Sequence, residues 1–383
     1  MKVQVDLLIN SMAAGGAQRT VLSLLDRYRE HPRYQGRLVL LERRETYAVP
    51  DGTETLLLNP RRDGREGGVR KSADLPVSAR RYRADCRTRG TRVVLSFLER
   101  ANYVALVARG RGGDFRVIAC ECTDPGKAYG RGAAGRFNRA LIRLLYPKAD
   151  RIIAKSSTTR DDLSRTFGVP PERISIVPNA CDVDGIRRLA ALEADHPFLG
   201  AGSLPAVVGV GRLVPLKRWG DLIDAIAQVR RNVPCRLVLV GEGPERESLS
   251  RRAMDLGIGA DVAFAGWREN PYPLIARADV LALCSRHEGF PNVLLEAMAC
   301  GCPSVASDSG APGEILKDGA GGRLYPVGDV PALAAALLDV LKNRALREEL
   351  LSAGSRRVLD FSPEKILPLY DELLEEVLRF PGK

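Results

Sequence analysis

The chain has 383 residues, of which 45% are hydrophobic and 27% charged, so it is long enough for two domains of ordinary globular composition. No apolar run reaches the ~18 residues of a membrane-spanning helix, and the N-terminal run carries Asp6 and no cleavage site, so we expect a first strand, not a signal peptide, and a cytoplasmic protein. The net charge of +11 favours an anionic partner, and the eight cysteines contain no C-x2-C pair, which argues against a zinc site.

Apolar runs and amphipathic stretches alternate along the first half of the chain. The predicted strands cover residues 3–9, 37–41, 93–97, 116–120, 151–154 and 174–178, and the predicted helices cover 17–28, 101–108, 133–145 and 158–167. This alternation favours a parallel sheet with helices on both faces. Gly15 and Gly16 stand between the first strand and the first helix, where a missing Cβ lets the backbone approach a ligand closely.

A basic segment lies between Arg61 and Arg92, with eleven basic and four acidic residues. Its glycine-rich start, residues 63–68, predicts a flexible loop, and a helix is predicted for 75–89. An anionic membrane surface, a phosphate-bearing acceptor and an ordinary solvated face all remain open as explanations. Nucleic acid is not expected as a partner, because Tyr82 is the segment's one aromatic residue and no binding motif is present.

The second half of the chain repeats the alternation. Its predicted strands cover residues 206–210, 236–240, 262–265, 280–284 and 304–306, and its predicted helices cover 220–230, 245–256, 292–299, 331–341, 345–355 and 363–378. The boundary between the halves is predicted at 179–204, a polar, alanine-rich stretch followed by Pro205.

The stretch after the predicted strand 280–284 carries two carboxylates, Glu288 and Glu296, on either side of the turn 289–292. In an open parallel sheet such a turn lies at the carboxyl ends of the strands, where ligands bind. The helix that follows offers unpaired N–H groups to hydroxyls or to an anion.

Two cations, Arg212 and Lys217, follow another buried strand. Arginine grips phosphate oxygens bidentately, and lysine supplies a compact positive charge. The alternative is a pair of surface cations at a helix start, where the helix macrodipole slightly disfavours them.

Three stretches together resemble a known family. HEGFPNVLLEAMACGCPSVAS resembles the E-x7-E signature of retaining glycosyltransferases of family 4, which have the GT-B fold; residues 13–19 resemble that family's N-terminal glycine loop, and residues 210–217 resemble its Arg/Lys phosphate clamp. The resemblance implies an α/β protein of two Rossmann-like domains whose parallel sheets face each other across a cleft. It implies an acceptor-binding domain over 1–180, completed by the C-terminal helix within 363–383, and a donor-binding domain over 181–362.

The resemblance also implies roles for individual residues. Arg212 and Lys217 would hold the donor diphosphate, Glu288 would contact the donor sugar near the reacting centre, and Glu296 would accept hydrogen bonds from ribose hydroxyls. The donor-binding set would be Gly15, Gly16, Gly241, Trp267, Gly289, Phe290, Pro291, Asn292, Val293 and Glu296. Trp267 is expected either to stack on the base or to cap the core.

Two first-domain segments resemble relatives that build lipid-linked oligosaccharides, namely residues 96–102 (SFLERAN) and 119–125 (ACECTDP). They make Asn102, Glu121 and Thr123 candidates for the acceptor side. Cys122 stands where those relatives often carry arginine, and no histidine occupies the first-domain position that many family members use.

A basic amphipathic pattern runs through the predicted helix 133–145 and its flanks. It interleaves Arg131, Arg136, Arg139, Arg143 and Lys148 with Phe137, Leu141, Leu144 and Leu145. The pattern suits an anionic membrane surface, and a core-packed helix with a basic outer face is the alternative.

These observations predict a retaining glycosyltransferase at the inner face of the cell membrane. It would move a hexose or N-acetylhexosamine from a nucleotide-diphosphate sugar, first of all a UDP-sugar, to a glycan carried on a polyprenyl diphosphate. No metal or other cofactor is expected, and the D-x-D at Asp182 and Asp184 reads as a helix cap. A sugar-nucleotide 2-epimerase and a non-catalytic nucleotide-sugar-binding protein are the alternatives.

Overall fold

A computed structural model describes residues 2–13, 15–43, 46–59, 74–110, 113–130, 132–194, 196–200, 202–317 and 319–379. The chain divides into two compact units, Met1–Ala180 with Pro363–Lys383 (unit 1) and Cys181–Ser362 (unit 2). The glycine-rich loop predicted for 63–68 lies outside the described residues, as does much of the basic segment around it.

Unit 1 is built on a seven-stranded sheet in which all strand pairs are parallel. Its strands are β1 (Val3–Ile9), β2 (Tyr34–Glu42), β3 (Thr55–Asn59), β4 (Val93–Phe97), β5 (Arg116–Glu121), β6 (Arg151–Ala154) and β7 (Ile174–Ile176), in the order β3-β2-β1-β4-β5-β6-β7. Its helices are α1 (Gly16–Glu30), α2 (Leu75–Arg89), α3 (Glu99–Arg109), α4 (Pro125–Ala128), α5 (Ala133–Leu145) and α6 (Ser157–Phe167).

Asp6 is the polar residue inside the otherwise apolar β1. Its carboxylate accepts hydrogen bonds of 3.0 and 2.7 Å from the buried Arg37 of β2 and one of 2.9 Å from the Tyr82 hydroxyl. A charge buried in a sheet is tolerated where it is paired in this way, so Asp6 does not argue against a central strand.

Unit 2 carries a second all-parallel sheet of six strands. They are β8 (Ala206–Val210), β9 (Arg236–Val240), β10 (Val262–Gly266), β11 (Val280–Leu283), β12 (Ser304–Ser307) and β13 (Arg323–Tyr325), in the order β10-β9-β8-β11-β12-β13. The helices are α7 (Val183–Ala190), α8 (Trp219–Val229), α9 (Arg246–Asp255), α10 (Tyr272–Ala276), α11 (Asn292–Cys300), α12 (Ala311–Ile315), α13 (Val330–Lys342) and α14 (Arg344–Arg357).

The last helix, α15 (Pro363–Arg379), belongs to unit 1. Its apolar face, which includes Tyr370 and Leu374, lies in the same buried cluster as residues of β1 and α1. Asp371 of this helix accepts a hydrogen bond of 2.9 Å from Arg27 of α1. The chain therefore completes the core of its first unit with its own C-terminal segment.

Each sheet reverses its strand order at one point, between β1 and β4 in unit 1 and between β8 and β11 in unit 2. At such a switch point the loops after two neighbouring strands diverge to opposite faces and leave a crevice at the carboxyl edge, where ligands bind in open α/β sheets. Among the described residues no helix is both long and apolar enough to cross a bilayer.

Candidate functional site

The predicted phosphate clamp and the predicted carboxylate meet at the switch point of unit 2. Lys217 lies in the loop after β8, and Glu288 lies in the loop after β11, the neighbouring strand. Lys217 Nζ is 2.5 Å from Glu288 Oε1, and both side chains are mostly buried, with 17% and 15% exposed. Two residues 71 positions apart in the sequence thus form one ion pair.

The loop that carries Lys217 is held by hydrogen bonds of its own. Residues 215–217 form a short 3-10 turn, and Arg218 follows with φ of 52°, the left-handed region in which non-glycine residues are strained. The indole of Trp219 donates to the Arg212 carbonyl at 2.9 Å, and the Arg286 N–H donates to the Leu216 carbonyl at 2.9 Å. The two loops are therefore linked by backbone as well as by the ion pair.

The two oxygens of the Glu288 carboxylate differ in the hydrogen bonds that they accept. Oε1 accepts from Lys217 and also from the hydroxyl of Ser285, at 2.6 Å. Oε2 has no hydrogen-bond partner among the residues that the structure describes. The exposed guanidinium of Arg212 likewise has no ion-pair partner within the described ranges. The site thus holds a free cation and a free carboxylate oxygen, which suit a phosphate and a hydroxyl respectively.

The segment after Glu288 opens a helix as predicted. Gly289 and Pro291 are buried, and the ring of the half-buried Phe290 packs edge-on against Phe361 at 5.8 Å. Helix α11 begins at Asn292, and the N–H groups of Asn292 and Val293 belong to its first turn, which has no acceptor inside the helix.

Glu296 lies on α11, one turn beyond its start, and is 7% exposed. Glu296 is therefore not an ordinary solvated carboxylate on the surface of the helix. Its contact with a ribose remains a prediction.

Gly241 and Trp267 follow the neighbouring strands β9 and β10. The Gly241 N–H donates to the Gly266 carbonyl at 2.8 Å, and a Cβ at Gly241, where φ is 142°, would stand 2.0 Å from the Gly211 carbonyl oxygen. The close packing of the strand ends is therefore enough to require glycine at position 241. The Trp267 side chain is 53% exposed, so it does not cap the core, and stacking on a base is the surviving prediction.

Gly15 and Gly16 lie in unit 1, at the N-terminus of α1. Gly15 is extended, with φ of 169°, so its conformation does not require glycine. A Cβ there would stand 2.5 Å from the side-chain oxygen of Gln18. Their approach to a diphosphate remains a prediction.

Asn102, an acceptor-side candidate, is fully buried in unit 1. Its Oδ1 accepts from the Ser96 hydroxyl at 2.8 Å, and its Nδ2 donates to the Cys120 carbonyl at 3.1 Å and to Tyr146 Oη at 3.0 Å. Both amide donors are therefore used inside the protein, and Asn102 joins β4 to β5 beneath the surface.

Glu121, a second acceptor-side candidate, is also fully buried. Its Oε1 accepts from the N–H groups of Cys122 and Thr123, both at 3.0 Å, and its Oε2 accepts from the Tyr146 hydroxyl at 2.7 Å. The Thr123 hydroxyl lies 2.9 Å from Glu121 and 3.1 Å from Glu99. Of the three candidates only Thr123 is partly exposed, and the half-buried Glu99 lies beside it.

Replacing Glu121 by glutamine is expected to change how stability depends on pH. Burial, and then the charge of Glu99, raise the pKa of Glu121 to about 8 from an ordinary 4.5. Between these values the folded chain keeps a proton that the unfolded chain has lost, so this group lowers stability as pH rises from 4.5 towards 8. Glu121→Gln should therefore gain stability over the wild type as pH rises through that window, by on the order of 2 kcal/mol.

Urea unfolding of the full chain at both ends of that window, followed by circular dichroism, measures the difference. Both tryptophans, Trp219 and Trp267, belong to unit 2, so their fluorescence separates that unit's transition from that of unit 1. Glu30→Gln, at an exposed position, is the control, and its stability should depend on pH as that of the wild type does. Parallel pH profiles for Glu121→Gln and the wild type would contradict the raised pKa.

The apolar residues of helix α5 fall into a buried group and an exposed group. Leu145 is buried and Leu141 is half-buried, whereas Phe137 and Leu144 are 49% and 62% exposed. Arg131 lies outside the described residues. The helix therefore packs on the core with one face and exposes two large apolar side chains on another.

The cations of the same helix fall into two groups. Arg139 and Arg143 lie over the ring of Phe167, at 5.2 and 5.8 Å from its centroid, so they also serve packing. Arg136 is exposed, and so is Lys148, which lies in the short turn that follows the helix. The helix therefore packs on the core with a basic outer face, and that face also exposes apolar side chains; contact with a membrane remains a prediction.

Two residues of these sites escaped the sequence interpretation. Ser285 and Glu99 are polar residues, and each is the second residue after a buried strand, β11 and β4 respectively, so they carry the same signal that pointed to Glu288. Asp182, by contrast, accepts from the Gly185 N–H at 2.9 Å and caps α7, as predicted. Within the described ranges no three His, Cys, Asp or Glu side chains group as a metal site.

The family models for glycosyl transferases group 1 and for Glycosyltransferase Family 4 match residues 195–357 and 14–184. The N-acetylgalactosamine-N,N'-diacetylbacillosaminyl-diphospho-undecaprenol 4-alpha-N-acetylgalactosaminyltransferase of Campylobacter jejuni is 31% identical over 95% of this chain and 97% of its own length. The GDP-mannose-dependent alpha-(1-6)-phosphatidylinositol monomannoside mannosyltransferase of Mycolicibacterium smegmatis is 35% identical over 58% of this chain and 61% of its own.

Among solved structures, HepE of Anabaena in complex with UDP superposes with a TM-score of 0.79, at 21% identity, over 98% of this chain and 100% of that one. The two all-parallel sheets with this strand order and this likeness show the GT-B fold. The chain belongs to glycosyltransferase family 4.

Proposed function

We propose that this enzyme transfers a hexose or N-acetylhexosamine, with retention of configuration, from a UDP-sugar to a glycan carried on a polyprenyl diphosphate. The observation that carries the proposal is the Lys217–Glu288 pair at the switch point of unit 2. Within the described part of the chain, Arg212 has no ion-pair partner and one oxygen of Glu288 accepts no hydrogen bond. The Campylobacter relative, similar over nearly the whole chain, is named for an undecaprenol-diphosphate acceptor.

The donor is assigned to unit 2. Arg212 and Lys217 would bind the diphosphate and stabilise the charge that grows on it as the bond to the sugar breaks. The free Oε2 of Glu288 would accept a hydrogen bond from the donor sugar, and Glu296 would hold the ribose. UDP is the first choice of nucleotide because HepE was crystallised with it, whereas the Mycolicibacterium relative is named for GDP-mannose, so GDP-sugars are the second choice.

The acceptor is assigned to unit 1, at the carboxyl edge of β4 and β5. Thr123 is the partly exposed hydroxyl residue there, and Glu99 is the neighbouring carboxylate. No step of this assignment uses a metal ion, and a rate unchanged by EDTA is the expected result.

Release of nucleoside diphosphate from a panel of UDP-, GDP- and ADP-sugars tests the proposal. Each donor is incubated with and without a polyprenyl-diphosphate glycan extract, and the product is analysed for anomeric configuration. Release that depends on both one donor and the acceptor supports transfer. Conversion of a donor to its epimer without acceptor, or no turnover of any donor by folded protein, would overturn it.

The outer face of α5 is proposed to rest on an anionic membrane. Phe137 and Leu144 are exposed together with Arg136, and insertion of the two apolar side chains would add hydrophobic free energy to the attraction of the cations. The double variant Phe137→Ser/Leu144→Ser is expected to bind phosphatidylglycerol vesicles about tenfold less tightly. Phe137 and Leu144 are 49% and 62% exposed, so only about half of each side chain is left to bury, which contributes roughly 0.8 kcal/mol per residue, half of the ~1.5 kcal/mol for full burial.

Co-sedimentation with phosphatidylglycerol vesicles measures this binding. Met254→Ser/Leu256→Ser is the matched control, since these two side chains are also exposed but belong to unit 2, where 59% and 44% of their surfaces are accessible. Equal sedimentation of both double variants and the wild type would refute the assignment of this face.

A further inference from the structure

Ser285 lies where the carboxylate of Glu288 needs support. It is the second residue after β11, it is fully buried, and its hydroxyl donates to Glu288 Oε1 at 2.6 Å. This is a short hydrogen bond to a charged acceptor, the stronger kind. The hydroxyl and Lys217 bind the same oxygen, so among the described residues nothing occupies Oε2.

The backbone that carries Ser285 is held from two directions. The hydroxyl of Ser307, fully buried on β12, donates to the Ser285 carbonyl at 2.7 Å. On the other side, the N–H of Arg286 donates to the carbonyl of Leu216 in the clamp loop at 2.9 Å. The Ser285 hydroxyl therefore projects from a fixed backbone, which is what a supporting group requires.

The two groups that donate hydrogen bonds to Oε1 respond differently when the nucleotide sugar binds. Lys217 is a flexible cation that the proposed function turns towards a diphosphate, which weakens its hold on Glu288. Ser285 is buried and uncharged, so the diphosphate does not draw its hydroxyl away from Glu288. Once the diphosphate is bound, Ser285 is the donor that still fixes the orientation of the carboxylate.

We propose that Ser285 is a positioning residue that holds Glu288 with Oε2 directed at the donor sugar while Lys217 engages the diphosphate. The inference rests on the proposed function, since it assigns Ser285 a task only if Glu288 contacts the sugar. Ser285 itself touches no substrate. Its effect should therefore be on turnover, while the clamp and the base contacts maintain donor affinity.

Ser285→Ala tests this inference in the full chain, with kcat and donor KM measured from nucleoside-diphosphate release. Losing one hydrogen bond to a charged group should lower kcat by about 10- to 100-fold. Donor KM should change by less than about threefold, the signature of an interaction needed in the transition state. Ser285→Cys, which keeps a weaker donor of similar size, should fall between the alanine variant and the wild type.

Ser304→Ala is the matched control. Ser304 is a buried serine of β12 whose hydroxyl has no hydrogen-bond partner among the residues that the structure describes, so the substitution is expected to leave kcat unchanged. Tryptophan fluorescence verifies that unit 2 is folded in each variant. A wild-type kcat in Ser285→Ala would overturn the inference, as would a loss of equal size in the alanine and cysteine variants.

Glu288→Gln, assayed alongside, separates this inference from the proposed function. If Glu288→Gln is inactive and Ser285→Ala is fully active, the positioning inference fails and the proposed site stands. If Glu288→Gln itself has full activity, both fail together.

Discussion

Lys217→Ala is expected to lower transfer by about 10²- to 10³-fold, the loss found when one stabilising group is removed from a charged transition state. The ammonium lies in a loop at the switch point, and 83% of its side chain is shielded from water, which strengthens its interaction with a phosphate. Because the same cation would bind the ground-state diphosphate, donor KM should rise as kcat falls. Acceptor-dependent release of nucleoside diphosphate gives both constants.

The fold should survive this substitution. Glu288 loses an ion-pair partner but keeps the hydrogen bond from Ser285, and its Oε2 side remains open, so no unpaired charge becomes fully buried. The exposed Lys342→Ala in the same unit is the control and should behave as the wild type. Lys217→Arg should retain part of the activity, because it keeps the charge but not the compact ammonium. Full activity of Lys217→Ala would remove the clamp from the proposed site.

Glu288→Gln is expected to lower kcat by about 100-fold or more, since a neutral amide replaces the charged oxygen proposed to face the reacting sugar. Here donor KM should not rise. Lys217 no longer shares its charge with a carboxylate and is freer to bind the diphosphate. A falling kcat with a constant or lower KM would thus distinguish Glu288 from Lys217, although the two residues touch.

Glutamine is the suitable replacement because its oxygen can still accept the hydroxyl of Ser285 at the same place. Tryptophan fluorescence should accordingly show an unchanged unfolding transition for unit 2. The exposed Glu348→Gln in α14, which breaks only a surface pair with Arg344, is the control. A rise in donor KM without loss of kcat would show that Glu288 binds the donor but does not act on the reacting centre.

Much of the architecture was accessible from local pattern. Strands such as β1, β4 and β8 were predicted within a residue or two, because a strand buried on both faces reads as a continuous apolar run. The short edge strands β3 and β13 were missed. They are five and three residues long and partly exposed, so their sequences carry little of that signal.

The candidate site divides in the same manner. The motifs around Arg212 and Glu288 could be found because glycines, cations and carboxylates directly after apolar runs are visible in the sequence itself. That Asn102 and Glu121 are buried was not visible, and neither was their shared hydrogen-bond partner Tyr146, which lies 44 and 25 residues away in the chain. Similarly, periodicity identified α5 as amphipathic but not which of its leucines would remain exposed.

The sequence by itself determined the succession of strands and helices, the family and the chemical types available to the site, because these depend on residues close together in the chain. The tertiary structure alone decided that Lys217 and the Ser285 hydroxyl both donate to Oε1 of Glu288. The reason is the strand order: β8 lies beside β11, although β9 and β10 come between them in the sequence. Which strands become neighbours is set by long-range packing of helices on the sheet, and no local pattern encodes it.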